Sequence, residues 1–108
     1  MSGSIVTVNV DRPLGSRHPK YPDLYYSVNY GYIEGTMAAD GEEEDAYILG
    51  VNEPVNCFTG RVIAIIHRKN DNKHKWVVAP DGVTFTEEEI LTMTHFQEQY
   101  FQSSVNIL

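Results

Sequence analysis

The stretch Arg61-Val62-Ile63-Ala64-Ile65-Ile66-His67 decides the fold. It is apolar at successive positions, so it reads as a strand buried on both faces. Beyond it, Lys69 to His74 is a polar turn, and Lys75 to Ala79 a second strand that Pro80-Asp81-Gly82 stops. Thr86-Glu87-Glu88-Glu89 then forms a capping box, with the Thr86 hydroxyl and the Glu89 side chain satisfying each other's free amides. Three glutamates in that first turn also suit the helix dipole. Ile90, Met93, Phe96 and Tyr100 recur at spacings of three and four, which predicts a helix to about Gln102.

Before the central strand, Ile5 to Val10 places Val6, Val8 and Val10 on one strand face. Asp11 to Tyr25 holds Pro13, Pro19 and Pro22 and reads as a long irregular crossing, a kind of loop that is uncommon unless functional. Tyr25 to Ile33 is extended, Glu34 to Asp45 a loop, Ala46 to Val51 a short strand, and Asn52 to Gly60 a turn. About five short strands followed by one helix predict an α+β fold. Its simplest form is a small OB-like β-barrel, closed or partly open, with a C-terminal helix.

Composition narrows the function classes. The 108 residues, 42% of them hydrophobic, suit a single domain over 1–108. Acidic residues outnumber basic ones 15 to 8, for a net charge of −7. That charge disfavours nucleic acid and anionic membrane as partners and suits hard cations. Cys57 is the single cysteine, so neither an intrachain disulfide nor a zinc site of several thiolates is available. No apolar run nears the roughly 18 residues of a membrane span, and Met1-Ser2-Gly3-Ser4 does not open a secretory signal. A soluble cytoplasmic protein is expected.

Four segments hold chemistry-bearing side chains. From Asp40 to Asp45, five of six positions are carboxylates, with Gly41 between. Asp40 and Asp45 at the ends of this turn suit one magnesium-binding cleft, although such runs are commonly solvated loops. Tyr26, Tyr30 and Tyr32 share a strand face and offer uncharged donors to phosphate, or simply pack over a sheet. His67 to Lys75 mixes four Lys or Arg residues with Asp71, which fits either a metal and phosphate site or a hairpin tip. Arg12, Arg17, His18 and Lys20 add positive or titratable groups in the crossing. Cys57 lies in no motif and His95 falls inside the helix, so no Cys-His nucleophile is indicated. Walker-type and Gly-x-Ser-x-Gly motifs are absent.

Asn29-Tyr30-Gly31-Tyr32-Ile33 followed by Asp40-Gly41-Glu42-x-x-Asp45 resembles the signature of soluble family I inorganic pyrophosphatases, Asn-Tyr-Gly-Tyr-Ile then Asp-Gly-Asp-Pro-x-Asp. Lys75 to Ala79 is similar to the family's later Lys-apolar strand, and His95 to Tyr100 to its C-terminal helix. The resemblance spans about Asp11 to Phe101. It implies an OB-like barrel and Mg²⁺-dependent hydrolysis of pyrophosphate, or a related phosphoanhydride, to two phosphates, with Mn²⁺ as another metal and a homo-oligomeric state. By position it implies Asp40, Asp45 and Asp71 on metal. Glu42 would prepare the attacking water, and Tyr26, Tyr30, Lys75 and Tyr100 would touch phosphate. Asp11 would stand near the metal cluster.

The chain departs from that pattern in particular places. It is shorter than the family norm and lacks an N-terminal hairpin carrying Lys-x-Glu and an arginine. Lys73 stands for a metal-binding aspartate, Phe101 for a lysine and Glu42 for an aspartate. The other expectation is therefore a degenerate relative that binds phosphate, nucleotide or a protein partner. An OB-type nucleic-acid binder is a weaker third, opposed by the net charge.

Overall fold

The computed structural model describes residues 3–38, 41–69 and 74–108. In chain order the elements are β1 (Ile5–Arg12), β2 (Asn29–Ile33), β3 (Glu44–Ile48), β4 (Cys57–Arg68), β5 (His74–Ala79), α1 (Glu87–Glu98) and β6 (Ser103–Ile107). The sheet order is β1-β2-β3-β5-β4-β6, and a further β1–β4 pairing closes the first five strands into a barrel. β3 and β5 run parallel, and the other pairs are antiparallel. Closure rests on the length of β4. Its first residues, Cys57–Arg61, pair with β1, while its later part lies between β5 and β6.

Two apolar clusters follow from strand alternation. Val8, Ile33, Ala46, Ile48, Val62, Trp76 and Val78 fill the barrel. Val28, Tyr47, Leu49, Ala64, Ile66, Val77 and Ile90 sit between the barrel's outer face and α1. β4 therefore contributes to both clusters, which bears out the reading of Arg61 to His67 as buried on two sides. Its parity changes on the way. A bulge between Val62 and Ala64 turns Val62 into the barrel but Ala64 and Ile66 toward the helix. Gly31 lies where β1 and β2 nearly touch, and a Cβ there would collide with the Asn9 carbonyl.

Thr86 caps α1 as expected: its hydroxyl accepts from the Glu89 amide, and the Glu89 carboxylate accepts from the Thr86 amide. The helix ends at Glu98, short of the expected Gln102, and Ser103–Ile107 pairs with β4 as a strand that sequence reading missed. The helical spacing from Phe96 to Tyr100 misled, because Tyr100 lies beyond the helix and is 67% exposed.

The crossing after β1 is more ordered than its prolines suggest. Hydrogen bonds Gly15–Tyr26, Tyr26–Ser16 and His18–Leu24 fold it back on itself around an Arg17–Tyr25 bridge. Asn29 fastens this loop to the next. Its side-chain oxygen accepts from the Leu14 and Val55 amides, and its Nδ2 donates to the Glu53 carbonyl. The extended stretch expected from Tyr25 is a regular strand only from Asn29.

Candidate active site

The returning crossing, the outer face of the barrel and the end of α1 enclose a cleft of about 510 Å³. That volume falls in the range of small-molecule sites, about 300–1,000 Å³. Tyr30, Arg68 and Lys75 reach it from the barrel, His18, Tyr21, Asp23 and Leu24 from the crossing, and Gln97, Tyr100 and Phe101 from the helix end.

Sheet register explains the first charge pair. β3 and β5 run parallel with Asp45 opposite Lys75, so both side chains leave the same face as neighbours. Lys75 Nζ meets Asp45 Oδ2 at 2.5 Å, with the lysine side chain 4% exposed. The ammonium lies 5.7 Å from the centre of the Tyr30 ring. Burial first, and the Asp45 charge next, push the Tyr30 hydroxyl well above its usual range. It therefore remains a protonated donor at neutral pH.

The second pair lies deeper. Past the bulge, Arg68 has the parity of Ala64 and Ile66 and points toward α1. Its Nε and Nη2 donate to the two Glu98 carboxylate oxygens at 3.0 and 2.6 Å. Both side chains are almost fully buried. Glu98 also accepts from the Tyr47 hydroxyl at 2.5 Å and the Ser103 hydroxyl at 2.6 Å. Burial alone would raise the Glu98 carboxyl, but the hydrogen bonds from Arg68, Ser103 and Tyr47 hold it below its ordinary value. Gln97 extends the network, donating to Tyr47 and accepting from Tyr26. The Arg68 guanidinium stacks on the Phe101 ring with Cζ 3.7 Å from its centre.

Comparison with protein-family models matches residues 6–103 to the family described as inorganic pyrophosphatase. The chain belongs to the inorganic pyrophosphatase family. Among solved structures, an inorganic pyrophosphatase from Ehrlichia chaffeensis superposes with a TM-score of 0.73 at 19% identity, covering 99% of this chain and 91% of that one. Inorganic pyrophosphatases from Coxiella burnetii and Helicobacter pylori follow with TM-scores of 0.65 and 0.64 at 15% and 16% identity. They cover 99% and 100% of this chain, and 85% and 86% of theirs. These likenesses bear out the OB-like barrel. Comparison with curated proteins finds no match.

Set against the pyrophosphatase pattern, the expected residues divide. Tyr30, Lys75 and Tyr100 do share one cleft. Asp45 lies beside them, paired with Lys75. Tyr26 is 2% exposed, does not line the cleft and donates its hydroxyl to Gln97. Glu42 is exposed on the loop before β3. Asp11 is exposed near the end of β1, within the segment first read as irregular. Asp40, Asp71 and Lys73 lie outside the described residues. Of the basic residues in the crossing, Arg12, Arg17 and Lys20 do not line the cleft, whereas His18 does. His95 is exposed on α1, and Cys57 is exposed and free. Sequence reasoning missed Arg68, Glu98 and Gln97. Only the parity of Arg68 with the apolar β4 residues hinted that it was buried.

Pyrophosphatases as a family generally use divalent metal ions, which take clustered carboxylate oxygens. Among the described residues no three acidic, histidine or cysteine side chains converge. Asp45 is already engaged by the Lys75 ammonium. Of the three residues expected on metal, only Asp45 is among the described residues.

Proposed function

We propose that this chain binds pyrophosphate, or a related phosphoanhydride, in the cleft and hydrolyses it to two phosphates, the reaction for which its family is named. The convergence of Lys75, Arg68, Tyr30 and Tyr100 on one cleft, in a chain whose family match spans residues 6–103, carries this reading. Lys75 and Arg68 neutralise anionic oxygens, Tyr30 and Tyr100 donate hydrogen bonds to them, and the half-buried Phe101 and Leu24 limit water at the walls.

Mg²⁺, with Mn²⁺ as a substitute, belongs to this proposal through Asp40, Asp45 and Asp71, with Glu42 preparing the water and Asp11 near the cluster. In that set Asp45 would share its carboxylate between the metal and Lys75, whose ammonium contacts Oδ2. Homo-oligomeric assembly and a cytoplasmic location belong to it too; light scattering tests the first. No helix among the described residues is long and apolar enough to cross a membrane.

Phosphate release from pyrophosphate, measured with Mg²⁺, with Mn²⁺ and with EDTA beside Asp45→Asn, tests the function. Metal-dependent release that the variant loses is expected; release that persists in Asp45→Asn sinks the site assignment. The two ion pairs favour a second reading, in which the chain binds the anion but turns it over little. Absence of release under every metal would select that reading.

A further inference from the structure

We propose that the end of the β4–β5 pair is a site for a divalent transition-metal ion of the kind imidazole prefers, Zn²⁺ in the first instance, with His67 and His74 as its ligands. The register is the first ground. His67 and His74 are direct partners across the antiparallel pair. Their rings are in contact, with centroids 4.5 Å apart and planes at 74°. Side chains opposed in this way project together from one sheet face. Among the described residues no hydrogen bond or ion pair occupies either imidazole. Each neutral ring therefore keeps a nitrogen lone pair for a ligand. Zn²⁺ takes imidazole nitrogen at about 2.0–2.1 Å, so one ion can bridge two rings that already touch.

The face matters as much as the spacing. Past the bulge, Ile66 is opposite Lys75 on the outer face of the barrel, while Ile65 and Trp76 pack against the core inside it. By alternation His67 and His74 continue the Ile65–Trp76 side. They stand at the mouth of the barrel, turned away from Arg68, Lys75 and the cleft. None of the residues assigned to pyrophosphate or Mg²⁺ belongs to this pair. Glu44 adds charge beside it. β3 and β5 run parallel with Asp45 opposite Lys75, so Glu44 neighbours His74. Its carboxylate is fixed by the Trp76 indole at 3.0 Å and favours a cation nearby. No third histidine, cysteine or acidic side chain joins the two rings among the described residues, so water completes the shell. His74 is exposed and His67 half-buried, which lets an ion enter from solvent without unfolding the chain.

The test is a Zn²⁺ titration of the full chain in excess Mg²⁺, followed through the histidine ring protons by NMR. Mg²⁺ occupies carboxylate sites but competes poorly for imidazole. The His67 and His74 signals are expected to shift together and saturate at one equivalent, while those of His18 and His95 stay in place. His74→Ala is expected to weaken binding at least about tenfold, since losing even a residue that only supports a ligand costs about 10–100-fold. His95→Ala, also at an exposed position, is expected to bind like the wild type. Should either variant fail to fold, the wild-type titration alone decides. Absence of a saturable shift, binding that Mg²⁺ abolishes, or equal shifts at His18 or His95 would overturn the proposal. So would a folded His74→Ala that binds as tightly as the wild type.

Discussion

Replacing Arg68 by Met removes the cation from a carboxylate that cannot reach water. The Glu98 side chain is 3% exposed, and the substitution deletes the hydrogen bonds at 3.0 and 2.6 Å while leaving those from Tyr47 and Ser103. Breaking a buried pair from one side costs about 3–5 kcal/mol. A domain of this size is stable by roughly 5–15 kcal/mol in total, so a fold lacking this bond survives narrowly, with Tm lowered by at least about 12 °C. The loss also depends on pH. In the native chain Glu98 lies below its ordinary value of 4.5, so its contribution is complete above pH 4.5 and fades as pH falls through the lower folded value. In Arg68→Met burial acts without the cation, so Glu98 titrates above its unfolded value and the variant gains stability as pH falls toward 4.5. Urea unfolding at pH 7.5 and pH 5 reads both effects: a large deficit at the higher pH, narrowing by on the order of 1–2 kcal/mol at the lower. A deficit below about 1 kcal/mol, or one equal at both pH values, would refute the argument.

Gly31→Ala forces β1 off β2, since the new Cβ meets the backbone of Asn9 and Val10, and should lower stability by about 3 kcal/mol or more in urea melts. A loss under about 1 kcal/mol would mean the two strands separate easily. Thr86→Ala removes the capping box and should cost about 1 kcal/mol, read from the denaturation midpoint with the slope unchanged. Burial foremost, then nearby carboxylate charge, raises the Tyr30 and Tyr47 hydroxyls well above 10.0. Their stabilisation is present below pH 10 and is lost as pH rises through the folded values. A phenolate titration should therefore show ionisation coinciding with unfolding, whereas early reversible ionisation of all tyrosines would contradict it.

The legible parts of the fold are those whose local signals agree. Val6, Val8 and Val10 alternate, Lys75 to Ala79 runs apolar, and Thr86 and Glu89 mark a helix start from side-chain chemistry alone. β6 was hidden because Ser103-Ser104-Val105-Asn106-Ile107 is short, polar and located at a sheet edge, where pairing with β4 rather than composition makes the strand. In the site, Tyr30 and Lys75 were singled out through the resemblance to the family's motifs, and both line the cleft. Arg68 was not: simple alternation puts it on the face of Val62, inside the barrel, and a bulge sends it to the cleft instead. Glu98 carries no signal of its own in the sequence. Its burial depends on the chain returning as β6 and bringing Ser103 against it.

The bulge also bears on chemistry. It delivers a guanidinium to a cleft where Lys75 already stands, and Phe101 supplies a flat surface for that guanidinium rather than another charge. For holding an anion this arrangement is sound, because buried negative charge needs only a fixed positive partner. For cleaving a phosphoanhydride it is incomplete. A guanidinium neutralises charge but does not lower the pKa of a water as a divalent ion does. Lys75→Gln should therefore weaken pyrophosphate binding with Mg²⁺ present, read by calorimetric titration, and binding as tight as that of the wild type would remove Lys75 from the site.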